Sequence, residues 1–251
     1  PTLTALMQTG AFSLAAQTTY PAATLPSHAS MLTGLCPADH GVDWNDYLPE
    51  RGYAQGLDLF DLAHAAGLRT VMVVGKEKLR QITEPSSLDE FTFINDRDLV
   101  IAAYVAQQVI PPGFGVLFVH FPTADDMGDA YGWMSPEYLS VLRRADQALA
   151  SLLEALDSAG LRADTLLIVT ADHGGHEFGH YTRLPVDMTI PWLVVGPGVR
   201  PVELTEPVNV TDTAATAAWA LGLPLPPEWD GLPVYEAFGL DSPPRPDPRC
   251  P

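Results

Sequence analysis

The densest group of chemically capable side chains lies between residues 170 and 180. This segment reads TADHGGHEFGH and follows the apolar run 165–169. A buried strand that ends in Asp172 and His173 places a carboxylate and an imidazole at its carboxyl end, where open α/β sheets keep their sites. The glycines that follow allow a sharp turn, so neighbouring side chains can converge. Such ligands suit a divalent metal ion, zinc first and manganese or iron as alternatives, although a polar surface loop has the same composition.

A second candidate is the hydroxyl of Thr24. Pro26 fits the first turn of a helix that ends near Thr33, which puts Thr24 at or just before the helix amino terminus. The free N–H groups and the dipole at that end favour an anion. The Thr24 hydroxyl is therefore either a helix cap or a nucleophile beside an anion site.

An acidic loop follows the apolar strand predicted at residues 115–120. Asp125, Asp126 and Asp129 lie within five residues of one another. Their carboxylates repel one another unless something positive lies between them. The loop is either a solvated acidic surface or a second source of metal ligands at a strand end.

Composition limits the classes of function. The 251 residues have a formal net charge of −18, and 47% of them are hydrophobic. This charge argues against nucleic acid or an anionic membrane surface as a partner. No apolar run is long enough to span a membrane, so we expect a soluble chain. An anionic substrate would need bound cations in so acidic a protein. Of the only two lysines, Lys76 and Lys78, the first follows a predicted strand and is either a surface residue or a contact for such a substrate.

The cysteines and the start of the sequence carry less information. Cys36 and Cys250 do not have the spacing of metal ligands, and we expect free thiols. The sequence begins at Pro1 without an initiator methionine, so we expect targeting information to lie outside it. Localisation and oligomeric state stay open.

Alternating strands and helices must position these groups. The pattern predicts strands at residues 11–16, 69–74, 91–94, 115–120, 165–169 and 191–195. It predicts helices at residues 2–9, 26–33, 57–66, 98–109, 136–158 and 212–221. This order predicts an α/β fold with a mostly parallel sheet covered by helices on both faces. We expect one domain over residues 1–240 and a Pro-rich tail at 241–251.

The order of the motifs resembles the alkaline phosphatase superfamily, on the branch of type I phosphodiesterases and nucleotide pyrophosphatases. The matching motifs are Thr24 to His28 with Leu32 to Gly34, His40-Gly41, Asp125-x-x-Gly128, Asp172 to Gly175, and His180. The resemblance covers about residues 2–235 and implies a three-layer sandwich. It also implies a metal-dependent phosphoester hydrolase with two divalent ions, usually zinc. The ligands that it implies are Asp125, Asp129 and His180 for the first ion, and Asp172, His173 and Thr24 for the second.

The same resemblance implies roles in catalysis. Thr24 would be the nucleophile and take the phosphoryl group covalently, before water hydrolyses that intermediate. Asn45 would hold a non-bridging oxygen in the transition state, and Lys76 is a candidate contact for the substrate. Thr24 and His28 stand where sulfatases of the superfamily have an oxidisable cysteine or serine and an arginine. A small-molecule phosphodiester or phosphonate is therefore the expected substrate.

Two departures from the family pattern keep other functions open. Asp129 stands where the family has a histidine, which adds negative charge and favours harder ions. A further metal-binding aspartate of the family lies on a strand before the segment that matches residues 1–10, so we expect the domain to lack its first strand here. A non-catalytic or impaired ligand-binding relative is one alternative. A phosphotransferase or mutase of the superfamily, which would retain covalent phosphate, is the other.

Overall fold

Short runs of β-branched and apolar residues form two β-sheets. The protein is represented by a computed structural model that describes residues 1–243 and 250. Within these residues the strands are β1 (Ala11–Gln17), β2 (Thr70–Val74), β3 (Glu90–Phe93), β4 (Val116–His120), β5 (Leu167–Thr170), β6 (Thr189–Val195) and β7 (Val202–Glu203). One sheet has the order β5-β6-β1-β7 and the other has the order β3-β2-β4. The six predicted strands are all present, with bounds that differ by at most two residues.

The three-stranded sheet is parallel throughout. β2 pairs with β3 and β4 in parallel, with Val74 opposite His120 at the carboxyl ends. In the four-stranded sheet β1 pairs with β7 in parallel, whereas β6 is antiparallel to both β1 and β5. Every residue of β2 is buried, as expected for a parallel strand covered on both faces.

Nine α-helices within the described residues cover the sheets. They are α1 (Thr2–Met7), α2 (Thr24–Thr33), α3 (Pro37–His40), α4 (Leu59–Ala65), α5 (Asp98–Tyr104), α6 (Thr123–Tyr131), α7 (Pro136–Ser158), α8 (Pro185–Met188) and α9 (Asp212–Ala220). As predicted, Ser135 caps α7, accepting a hydrogen bond from the N–H of Tyr138, and Pro136 occupies its first turn. No helix in residues 1–243 is long and apolar enough to cross a membrane.

Alternating side chains of the strands divide the core into layers. Met72 and Val74 pack with residues of α2, α4 and α9. Val71 and Val73, on the opposite face of β2, pack with residues of α5 and α7. β6 alternates in the same way, and its second face packs against α1 and α7. The predicted three-layer α/β fold is therefore confirmed.

The structure corrects the prediction for the acidic segment after β4. This segment forms helix α6 and is not a loop. The buried side chain of Asp98 accepts hydrogen bonds from the N–H (3.2 Å) and the hydroxyl (2.7 Å) of Thr123, the first residue of the helix. Asp125 and Asp129 consequently lie one helical turn apart on the same face. The predicted helix 98–109 also differs, because its second half, Val105–Val109, is a π-helix.

The prediction of free thiols is wrong. Cys36 and Cys250 form a disulfide, with their Cα atoms 5.3 Å apart. Cys36 immediately precedes α3, so the bond holds Cys250 beside the start of that helix. Most of the tail predicted at 241–251, namely residues 244–249 and 251, lies outside the described residues.

Candidate active site

Segments that follow three strands bring the candidate residues together. α2 starts seven residues after β1 and carries Thr24. α6 follows β4 and carries Asp125, and the loop after β5 carries Asp172, His173 and His180. These are the strand ends at which α/β proteins place their sites.

Asp125, His173 and His180 form one group. Their ligand atoms lie within 4.8 Å of one another. The Asp125 Oδ1 atom is 3.4 Å from His180 Nε2 and 3.8 Å from His173 Nε2. The two imidazole rings stack with their centroids 3.7 Å apart and their planes within 9°. His173 and His180 thus lie side by side, although the family resemblance implies that they bind different ions.

The hydrogen bonds of both histidines direct their Nε2 atoms toward the carboxylates. His180 Nδ1 donates to the carbonyl of Ala22 (2.7 Å), and His173 Nδ1 donates to the carbonyl of Gly174 (2.8 Å). In a neutral imidazole this leaves Nε2 with a lone pair. Asp125 Oδ1 and His173 Nε2 are buried, and neither makes a hydrogen bond within the described residues. Lone pairs that face a carboxylate are unfavourable unless a cation lies between them, so these residues fit a divalent ion with nitrogen and oxygen ligands.

Asp172 lies beside this group. Its Oδ2 atom is 3.3 Å from His173 Nε2 and 3.3 Å from His28 Nδ1. Burial opposes ionisation of Asp172, but His173 and His28, together with His120 and Lys76, outweigh it and hold the pKa of this carboxyl well below its usual range. Asp172 is therefore a carboxylate at any pH near neutrality and can act as a ligand.

His28 links Asp172 to the candidate nucleophile. Its Nδ1 atom also donates to the carbonyl of Thr24 at 2.7 Å. Its ring lies 5.0 Å from that of His120, which ends β4. Burial lowers the pKa of His28 and lowers that of His120 much further. In the sequence His28 stood out only as the end of the Thr24 to His28 motif, where it replaces an arginine of the sulfatases, and His120 did not stand out at all.

Thr24 does not cap its helix. It is the first residue of α2, it is buried, and the preceding Ala23 is the N-cap without a side-chain bond. The N–H of Leu25 instead donates to Asn45 Oδ1 at 2.9 Å. Because Pro26 has no N–H, the helix amino terminus offers an anion fewer donors than the sequence suggested. The Thr24 hydroxyl is left without a capping role.

Lys78 holds the side chain of Asn45 from the other side. Its Nζ atom donates to the backbone carbonyl (2.8 Å) and to the Oδ1 atom (3.0 Å) of Asn45. With Oδ1 accepting from both Lys78 and Leu25, the Nδ2 group remains as the donor of the amide. Burial, followed by the charge of Lys76, lowers the pKa of Lys78. The sequence offered one indication that Lys78 belongs to the site, because it is one of only two lysines in the chain and lies two residues from the other, Lys76.

Lys76 is an interior residue and not a surface one. Its side chain is 17% exposed, its Nζ atom pairs with Asp125 Oδ2, and it lies 3.6 Å from Asp126 Oδ1. Burial would lower the pKa of Lys76, but Asp125 and Asp126 outweigh it, so the pKa is raised. The lysine therefore carries its charge inside the acidic site.

Trp133 forms a wall behind the two stacked histidines. Its ring centroid is 6.2 Å from that of His173 and 6.3 Å from that of His180. A Cβ atom added at Gly175 would lie 2.1 Å from the Trp133 ring, and one added at Gly128 would lie 2.7 Å from it. The glycines of the two motifs are thus needed for the close approach of this indole, which sequence reasoning missed.

Comparison with known proteins identifies the family of the chain. The model of the family described as type I phosphodiesterase/nucleotide pyrophosphatase matches residues 1–184. The chain belongs to this family. The resemblance inferred from the motifs is thereby confirmed.

Individual relatives differ in how much of the chain they match. Ectonucleotide pyrophosphatase/phosphodiesterase family member 1 of Rattus norvegicus is 24% identical over 234 residues, which are 82% of this chain and 26% of that protein. The phosphopentomutase of Methylobacterium sp. (strain 4-46) is 35% identical over 130 residues, which are 50% of this chain and 29% of that protein. The chain thus spans about a quarter of the length of these two curated relatives.

Solved structures show the same fold. Murine ectonucleotide pyrophosphatase/phosphodiesterase 5 superposes with a TM-score of 0.78, covering 96% of this chain and 94% of that one. The sequence identity is 15%, so this likeness concerns the fold alone.

Asp129, the departure from the family motif, lies at the edge of the site. Its side chain is exposed, and it is not part of the group formed by Asp125, His173 and His180 within the described residues. Its charge nevertheless favours the protonated form of His180, although burial of that ring, followed by His173, lowers the pKa overall. As a metal ligand Asp129 stays a prediction.

Proposed function

We propose that the chain is a metal-dependent phosphoester hydrolase that acts on a phosphodiester or a phosphonate through Thr24. The observation that carries the proposal is the pair of buried ligand atoms on Asp125 and His173 that make no hydrogen bond, together with a threonine that does not cap its helix and is linked to Asp172 through His28. Membership of the type I phosphodiesterase/nucleotide pyrophosphatase family supports the same reaction class.

The donor atoms suit two divalent ions, with zinc as the first choice. One ion would be held by Asp125 and His180 with Asp129 at the edge, and the other by Asp172 and His173 with the Thr24 hydroxyl. When bound, such ions lower the pKa of a coordinated hydroxyl or water and neutralise charge on the transferred group. His173 contacts both carboxylates (3.3 Å to Asp172, 3.8 Å to Asp125), so it lies where the two ligand sets meet.

The residues of the chain would divide the reaction into two steps. The Thr24 Oγ atom loses its proton and forms a bond to phosphorus while the bond to the leaving oxygen breaks. The leaving oxygen takes up a proton and departs as an alcohol, and Thr24 is left as an ester of the phosphoryl or phosphonyl group, which keeps its other substituent. A water oxygen then attacks phosphorus, and Thr24 leaves with its oxygen. Asn45 Nδ2 donates to a non-bridging oxygen in both transition states, because its Oδ1 atom is already held by Leu25 and Lys78. Lys76 adds positive charge for an anionic substrate.

A phosphotransferase or mutase is the second candidate, and one finding favours it. Half of the chain is 35% identical to a phosphopentomutase. Such an enzyme would share a covalent intermediate on Thr24 but would pass the group to an alcohol instead of water. A non-catalytic relative is the third candidate, motivated by Asp129.

One experiment separates the three. The purified chain, loaded with zinc, is assayed with bis(4-nitrophenyl) phosphate before and after addition of a chelator, in parallel with Thr24→Ala. We expect turnover in water that the chelator and the substitution both abolish. Activity that Thr24→Ala leaves intact contradicts the proposed nucleophile. Stable phosphorylation of the protein with little hydrolysis supports the transferase, and absence of bound metal and of turnover supports the non-catalytic relative.

A further inference from the structure

A buried carboxylate outside the metal-binding group, that of Asp187, bonds to both sides of the loop that carries His173 and His180. We propose that Asp187, together with His176 and Thr182, positions these two histidines for metal binding. The inference deepens the proposed function and rests on its metal site. It assigns a role to a residue that makes no contact with the ion or the substrate.

The side chain of Asp187 joins two points of the loop. Asp187 is fully buried. Its Oδ1 atom accepts from His176 Nδ1 at 2.7 Å. Its Oδ2 atom accepts from the N–H (2.9 Å) and the hydroxyl (2.6 Å) of Thr182. Because His180 lies between His176 and Thr182 in the chain, one carboxylate bonds to the His176 side chain before it and to the Thr182 backbone and hydroxyl after it.

The backbone beside Asp187 holds the other histidine. The carbonyl of Asp187 accepts from the N–H of Gly174 at 2.8 Å, and the carbonyl of Val186 accepts from the N–H of Gly175 at 3.1 Å. Gly174 directly follows His173, and its carbonyl accepts a hydrogen bond from His173 Nδ1. A Cβ atom at Gly174 would lie 2.0 Å from the Val186 carbonyl oxygen, so the contact is closed to any larger residue. The segments that carry both histidines are thus hydrogen-bonded to the same short helix, α8.

The choice of a carboxylate matters at this position. A buried carboxylate is costly unless several donors satisfy it. Here three donors do so, and the only ion-pair partner of Asp187 within residues 1–243 is His176. A carboxylate accepts at both oxygens, whereas an amide presents an NH₂ group on one side and would face one of the donors with another donor. Asparagine therefore fits the space but loses the charge-assisted bonds, and it satisfies all three partners only if His176 changes tautomer and accepts at Nδ1.

Loss of a group that bonds directly to a metal-ligating histidine weakens metal affinity by about 10–100-fold. The Asp187 carboxylate acts on these histidines through the loop, so the lower end of that range applies. We expect Asp187→Asn to lower zinc affinity by an amount near that lower end. Thr182→Val should lower it less, because it removes only the hydroxyl donor, and Thr182→Ser, which keeps that donor, should restore the wild-type value.

The experiment measures metal binding directly. Zinc affinity is obtained by competition with a chromophoric chelator, and the visible spectrum of the cobalt-substituted protein reports the geometry of the ligands. The variants are Asp187→Asn, Thr182→Val and Thr182→Ser. Asp212→Asn is the matched control, because Asp212 is also fully buried and accepts from two backbone N–H groups, those of Asn209 (2.8 Å) and Leu232 (2.9 Å), at the start of α9. Circular dichroism of the metal-free proteins verifies the fold.

The outcomes are distinct. Weaker zinc binding and an altered cobalt spectrum for Asp187→Asn and Thr182→Val, with wild-type behaviour of Thr182→Ser and Asp212→Asn, support the inference. Equal affinity and an unchanged spectrum in Asp187→Asn or Thr182→Val overturn it while leaving the proposed function intact. A general loss of affinity that includes Asp212→Asn also overturns it, because the effect is then one of stability. A wild-type chain that binds no zinc or cobalt overturns both the inference and the proposed function.

Discussion

Replacing Lys78 by methionine tests how the amide of Asn45 is held. The ammonium donates to Asn45 at 2.8 and 3.0 Å. A hydrogen bond to a charged group contributes about 1.5–3 kcal/mol, and 1.36 kcal/mol corresponds to a tenfold change in rate. We therefore expect Lys78→Met to lower kcat/KM by about 10–100-fold. Asn45→Ala should lower it by about 100–1000-fold, as for the loss of one donor to a transition-state oxyanion.

The double variant decides whether Lys78 acts through Asn45. If it does, Lys78→Met/Asn45→Ala is no slower than Asn45→Ala alone, because the lysine has nothing left to orient. The assay is hydrolysis of bis(4-nitrophenyl) phosphate at saturating zinc. Arg80→Met is the control, since Arg80 lies in the same 3₁₀ turn and stacks over Phe91. Losses that multiply in the double variant would refute the reasoning, because Lys78 would then contact the substrate by itself.

Three further predictions concern stability and covalent structure. Burial, then the charge of Asp61, raises the pKa of Asp58 to about 7, so the folded state binds this proton more tightly than the unfolded state does. The free energy of unfolding of the wild type, relative to that of Asp58→Asn, should therefore fall by about 1.4 kcal/mol per pH unit between about pH 4 and 7. A difference between the two proteins that does not change with pH contradicts this. Gly175→Ala should lower the free energy of unfolding, measured with denaturant, by about 1–3 kcal/mol, because the added Cβ overpacks against Trp133. Gly179→Ala is the control and should be near neutral, because the space around its Cβ is open. Equal effects of the two substitutions would rule the clash out. In denaturant without reductant, thiol titration should find no free cysteine, and two titratable thiols would disprove the disulfide.

The fold could be predicted from the sequence where local pattern decides structure. The apolar run of β2 is buried on both faces, as its lack of alternation indicates. Ser135 and Pro136 mark the start of α7 because capping depends on residues within one turn. Motif order was sufficient to recognise the family, because the site residues follow strands that converge at one edge.

The rest depended on contacts between distant segments. Helix α6 begins where Asp98, 25 residues earlier, accepts from Thr123, so its acidic sequence alone resembled a loop. Cys36 and Cys250 are separated by 214 residues, and no periodicity indicates that they meet. The bond from the N–H of Leu25 to Asn45 could not be predicted for the same reason, because Asn45 lies 20 residues away in the sequence.

The chemistry of the candidate site could be predicted from the sequence, whereas the contacts among its residues could not. The sequence indicated that Asp172, His173 and His180 are chemically suited to metal, and the family resemblance placed the two histidines on different ions, as the proposed function does. The structure stacks their rings 3.7 Å apart, next to Asp125. Such proximity is set by the course of the loop between them, which the bonds of Asp187 determine and which no spacing rule encodes.

The stereochemical course at phosphorus tests the central claim, covalent catalysis by Thr24, most directly. A chiral phosphorothioate diester is hydrolysed by the zinc-loaded protein in ¹⁸O-water, and the configuration of the product is determined. Two in-line displacements, first by Thr24 and then by water, predict overall retention. Inversion would mean that water attacks the substrate in a single step, and it would contradict the assignment of Thr24 as the nucleophile.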